Sequence, residues 1–141
     1  MIVYATHTDL TSWIGAPQAE SEVKGHLRAA SVLVRDACVN DLYDITPAGL
    51  PSDPDLAEAL VEATCAQAEI WLALGVDPVA GAAALEAEVT KSSIDGASIE
   101  VDASVSAAAT AAKVASLDCL APIALSILRA VGLASAAVRG C

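Results

Sequence analysis

The sequence predicts a mainly α protein: a small helical bundle of two long helices and shorter C-terminal helices, with one projecting β-hairpin. Three observations lead there. Of its 141 residues, 32 are alanine, the best helix former and one that loses no side-chain entropy on folding. Apolar residues recur at steps of three and four in two long stretches. Only one stretch, at about residues 89–101, gathers β-branched residues around an Asp-Gly pair.

Taken in chain order, a short helical turn is expected after Thr8, through Asp9, Leu10, Thr11, Ser12 and Trp13, broken by Ala16-Pro17. The first long helix is expected over about residues 18–38, with Val23, Leu27, Ala30, Val34 and Cys38 on its apolar face. At about 100° per residue, Lys24, Arg28 and Arg35 form a basic stripe beside that face. The turn-rich segment 41–51, with Pro47, Gly49 and Pro51, reads as a loop. The second long helix has the clearest start: Asp53 as N-cap, Pro54 at the first helical position, and Asp55 and Glu58 favouring the positive end of the dipole. Leu56, Leu60, Ala63, Ile70 and Leu74 share its inner face, Trp71 lies at the edge, and Gly75 is the expected stop. Asp55, Glu58, Glu62 and Glu69 fall within about 60° of one another on the other side. That acidic stripe is either a solvated face or a surface for a neighbouring subunit's basic stripe or a DNA channel.

The run Ser92-Ser93-Ile94-Asp95-Gly96-Ala97-Ser98 carries the hairpin signal, because Asp-Gly suits the type I′ turn, which needs φ > 0 at both central residues. Its serine-rich arms bury little, so it is expected to rest on something else, a neighbouring subunit being the economical candidate. A weaker alanine-rich helix is expected over about residues 105–116. A last helix is expected from Ala121-Pro122 to about Val131, stopped by Gly132, with a loose arm over about 133–141. No repeat or long linker divides the chain, so residues 1–141 are read as one domain.

Composition excludes several functions. Alanine buries little area, so a lone copy has a thin core, and small domains with thin cores gain stability from neighbours. Seven basic residues against eighteen acidic ones give a formal charge of −11, which repels nucleic acid and anionic membranes. The N-terminus lacks the basic start and apolar run of a signal peptide. The nearest approach to a membrane span, residues 120–138, is interrupted by Arg129 and Gly132 and is read as a packed helix plus tail. Cys38, Cys65, Cys119 and Cys141 have no metal-ligand spacing and are expected to be free thiols of a cytosolic protein. His7 and His26 are the only histidines, and no nucleophile-elbow, phosphate-loop or zinc-protease motif occurs. The chain is therefore read as a non-enzyme without cofactor or metal.

Several segments together resemble a known family. They are Tyr4-Ala5-Thr6 with Asp9-Leu10 and Trp13-Ile14-Gly15; Leu27-Arg28-Ala29-Ala30-Ser31 with Val34; Tyr43-Asp44 before Gly49-Leu50-Pro51; Ala59-Leu60 and Ala63-Thr64-Cys65-Ala66-Gln67; Trp71-Leu72-Ala73-Leu74-Gly75-Val76-Asp77-Pro78; Ser92-Ser93-Ile94; and Leu128-Arg129-Ala130-Val131-Gly132-Leu133. In this order they resemble the head-to-tail adaptor (connector) proteins of long-tailed bacteriophages, in particular those of actinobacterial hosts. The resemblance spans nearly the whole chain, and no single motif is diagnostic.

The resemblance implies a structural virion protein, made in the host cytoplasm, that forms a ring beneath the portal, usually of twelve copies. Such a ring joins capsid to tail, extends the DNA tunnel, and meets the portal on one side and the next connector or tail protein on the other. It implies that the hairpin around Ile94 to Ala97 faces the tunnel and neighbouring subunits. The C-terminal segment, with Leu133, Val138 and Arg139, would dock on the portal. The residues are compatible with this: a ring lined with acid lets DNA pass without specific binding. Basic and acidic stripes on two helices suit a head-to-tail interface that closes. The rival reading is a small acidic intracellular helical module that binds a basic protein partner.

Overall fold

The computed structural model describes residues 2–81 and 103–135. Over these the protein is helical: α1 (His7–Ile14), α2 (Glu20–Ala37), α3 (Pro54–Leu74), α4 (Ala103–Asp118) and α5 (Pro122–Ala130). No sheet forms among the described residues, where the extended pairing is confined to an antiparallel bridge between Ile45 and Pro51. The hairpin expected over about 89–101 lies outside the described residues.

The helix ends follow local chemistry. Helix α1 starts two residues before Asp9 because Thr6 and Asp9 cap it reciprocally: the Thr6 hydroxyl accepts from the Asp9 amide and the Asp9 carboxylate accepts from the Thr6 amide. The expected short turn is thus a full helix. Asp53 caps α3 by accepting the Asp55 N–H at 2.9 Å, and Pro54 stands in the first turn. At the other end Gly75 takes φ +69°, and the Val76 N–H reaches back to the Trp71 carbonyl at 2.9 Å. This closure delivers Val76 into the core at 2 % exposure.

Helix α3 is the axis of the molecule, packed by α1, α2 and α5. Its buried residues include the unbroken run from Ala63 to Ala68 and Trp71. The expectation of a single inner face on α3 is therefore corrected. Ile70 is half-buried and Leu74 is 38 % exposed, whereas Trp71, expected at the edge, is 1 % exposed at the centre of a cluster with Ala30 and Val76. Small side chains at 63, 66 and 68 let helices approach α3 from several sides, so no one stripe defines its interior. Helix α2, by contrast, buries Val23, Leu27, Ala30 and Val34 along one stripe, with Cys38 buried at its end, as its spacing predicts.

Being central, α3 carries polar groups inside. Thr64 returns its hydroxyl to the Leu60 carbonyl at 2.8 Å. Gln67, fully buried, accepts the Ala121 N–H at 2.7 Å and points its amide at the Ser116 carbonyl at 3.4 Å. The Trp71 indole N–H donates to the same carbonyl at 2.9 Å. Ser116 is in the last turn of α4, where carbonyls have no helical partner. One turn of α3 thus holds the corner between α4 and α5.

That corner also divides the apolar stretch Ala111–Ala130, whose mean hydropathy reaches 1.6. Helix α4 ends at Asp118 and α5 begins at Pro122, with 16 and 9 residues respectively. Neither reaches the ~20 residues a membrane span needs.

Helix α5 ends as α3 does. Gly132 takes φ +83° and the Leu133 N–H bonds the Leu128 carbonyl at 2.9 Å, which folds Leu133 into the core at 4 % exposure. Ala134 is also fully buried and takes φ +54°, an unusual value for a residue with a β-carbon. The Asp41 carboxylate holds it there by accepting its N–H at 2.6 Å. The loose arm expected from 133 is corrected to this extent: Leu133 and Ala134 belong to the packed body.

Candidate interaction surfaces

Helix α2 has its inner face buried, and its outer face carries Lys24, Arg28 and Arg35, all exposed. Among the described residues Lys24 and Arg28 have no acidic partner. Arg35 makes a loose 3.9 Å pair with its neighbour Asp36, which at such exposure contributes little.

The acidic residues of α3 separate into two places. Asp55, Glu58 and Glu62 rim an open groove of about 400 Å³ between α3 and α5, floored by Ala59, Ile127, Ala130 and Val131. Glu69 is not part of it: its carboxylate accepts the Trp13 indole N–H at 2.7 Å, fastening α1 to α3. The single stripe expected over these four residues is thus a three-residue rim and a separate tether.

A feature that the sequence reading passed over is the loop after α2. Leu42 is 99 % exposed, Val39 74 % and Ile45 61 %. The signal was available: three large apolar residues in a polar turn-rich segment, with no partner at helical or strand spacing. The neighbouring Asp41 is turned inward, toward Ala134 and the Cys38 thiol.

Of the C-terminal docking residues, Leu133 is committed to the protein's own core, while Val138 and Arg139 lie outside the described residues. The hairpin set Ser92, Ser93, Ile94, Asp95, Gly96, Ala97 and Ser98 lies outside them as well.

His26 bridges two elements. One ring nitrogen lies 3.1 Å from the Glu22 carbonyl and the other 3.1 Å from the Val76 carbonyl. Its edge meets Trp71 with ring centres 6.5 Å apart. It ties α2 to the exit of α3. Cys38 and Cys65 are free and buried, and burial pushes both thiols up to about 12, aided by Asp41 at Cys38 and by Asp9 at Cys65. These thiols are inert packing groups rather than nucleophiles. Cys119 is disulfide-bonded, which corrects the expectation of a free thiol there. No group of three His, Cys, Asp or Glu with metal-binding geometry occurs among the described residues.

Compared with known proteins, the chain matches no family model, no curated protein and no solved structure.

Proposed function

We propose that this chain is a structural virion subunit, the head-to-tail adaptor of a long-tailed bacteriophage. It forms a ring, twelve copies by the resemblance, beneath the portal, where it joins capsid to tail and extends the DNA tunnel. The observation that carries the reading is the pair of surface stripes of opposite sign on α2 and α3, which no ion pair links among the described residues. A chain that holds Lys24, Arg28 and Arg35 apart from Asp55, Glu58 and Glu62 has complementary surfaces for neighbours. The net charge of −11 supports a passage that DNA slides through without sticking.

In this reading the hairpin at about 89–101 reaches the tunnel or the adjacent subunit, and Val138 and Arg139 meet the portal. Deleting Ile94 to Ala97 leaves the helices folded and impairs ring assembly or tail joining; normal phage yield after that deletion removes the hairpin from the mechanism. Truncation for a portal-docking test belongs after Ser135, because Leu133 and Ala134 are core residues. The deciding experiment is negative-stain electron microscopy with native mass measurement, on the protein alone and mixed with portal rings. Rings, or a collar added to the portal, are expected. A persistent monomer that ignores the portal favours the second reading, an acidic helical module for a basic partner, to which the acid-rimmed groove is also suited.

A further inference from the structure

We infer that a second copy of this chain covers the groove between α3 and α5. Its exposed loop at 39–45 fills the apolar floor, and the basic stripe of its α2 lies along the acidic rim. The inference rests on the ring-forming reading and adds to it a specific contact.

Single exposed apolar side chains are ordinary on a protein surface and need no partner. Leu42, Val39 and Ile45 are different in being gathered within one short loop, at exposures of 99, 74 and 61 %. The groove offers what they lack: Ile127 and Val131, half-buried and backed by the core, beneath three carboxylates.

The charges select the occupant. An apolar plug for this groove must bring cations with it, because burying the floor also crowds Asp55, Glu58 and Glu62. The chain has only seven basic residues, and three of them lie on α2, the helix that leads into this loop. At about 100° per residue, Lys24, Arg28 and Arg35 fall within about 40° of one another, and the apolar loop begins at Val39, four residues after Arg35 and just past the end of α2. Its length also fits: Arg28 to Arg35 and Asp55 to Glu62 are each about 10 Å of helix at 1.5 Å per residue. Loop and groove are different surfaces of one copy, so the contact is heterologous, the kind that closes into rings.

The test is sedimentation velocity with native mass spectrometry on the full chain, with circular dichroism as the check of folding. Leu42→Asp is expected to weaken self-association by roughly ten-fold or more, as loss of a central apolar anchor does, with the helical spectrum unchanged because Leu42 touches little of its own chain. Arg28→Glu with Arg35→Glu, and separately Glu58→Arg with Glu62→Arg, are each expected to dissociate the oligomer. An equal mixture of the two charge-reversed proteins is expected to reassociate, since each then presents the complement of the other.

Wild-type mass in Leu42→Asp and in both charge-reversed proteins would overturn this contact while leaving rings, and the adaptor reading, in place. Failure of the mixture to reassociate would also overturn it. A wild-type chain that stays monomeric at every concentration overturns the contact too, and the portal-collar experiment then decides the adaptor reading by itself.

Discussion

Helices α2 and α3 are similar in length and built from similar residues, yet they occupy opposite positions. Helix α2 lies at the side of the bundle, burying one stripe and leaving a polar back. Helix α3 runs through the middle, with Ala63 to Ala68 all buried and helices packed around it. Helix α3 has six alanines in 21 residues against three in 18 for α2, and these small side chains let its neighbours close over all but its acidic side. What polar groups remain inside, Thr64 and Gln67, must then find partners in the fold. Helix α2 keeps a whole charged back, whereas α3 keeps carboxylates at the surface on one side only, at Asp55, Glu58, Glu62 and Glu69, and must satisfy its interior polar atoms from its own neighbours.

Substitutions test that contrast. The largest effect is expected from Trp71→Ala on the central helix, about 3–5 kcal/mol for a buried aromatic with its hydrogen bond, read by chemical denaturation; a loss under about 1 kcal/mol would place Trp71 outside the core. Alkaline pH tests both helices at once, since Cys65 lies within α3 and Cys38 caps the end of α2. Burial raises Cys38 and Cys65 from 9.0 to about 12, and Tyr4 from 10.0 to about 12. These groups favour the fold fully below their unfolded values, and that contribution is lost as pH rises from about 9 to about 12. Melting temperature should fall across this window and fall less in Cys65→Ala; a flat profile would contradict the burial of these groups.

Gln67→Leu comes next, costing about 1–3 kcal/mol because the Ala121 N–H loses its acceptor in the interior. Asp53→Ala, which removes the α3 cap, should cost about 1 kcal/mol. The smallest effect belongs to the back of α2: Arg28→Ala is expected within about 0.5 kcal/mol of wild type. A larger loss there would mean that the basic stripe stabilises the monomer, and would erase the distinction between the two helices.

The legibility of the fold divides along the same line. The inner face of α2 was readable because an edge helix imposes a regular period on its sequence. The start of α3 was readable because Asp53 and Pro54 act locally. The burial of Trp71 and Gln67 was not, since it depends on where α4 turns into α5, far away in sequence. Thr6 with Asp9, and Gly132 with Leu133, are local signals that sequence reading can use: one starts α1, the other folds Leu133 inward. As for the candidate site, the two charge stripes were legible from helical spacing. The separation of Glu69 from the rim was not, because it depends on Trp13 arriving from α1. The groove itself needs α5 beside α3, which no periodicity encodes.

The grip of α3 on the α4–α5 corner has a kinetic consequence. The Ala121 amide proton is bound to Gln67 Oε1 at 2.7 Å, a side chain 54 positions earlier in the chain. It can exchange with solvent only when the corner lifts off α3, so its exchange rate reports that separation directly. If the bundle opens as a single cooperative unit, this proton exchanges as slowly as the amides in the middle of α3. If the C-terminal third detaches first, as a separate foldon, it exchanges faster than they do. One backbone proton thereby distinguishes a bundle that breathes as a whole from one that opens at its C-terminal end.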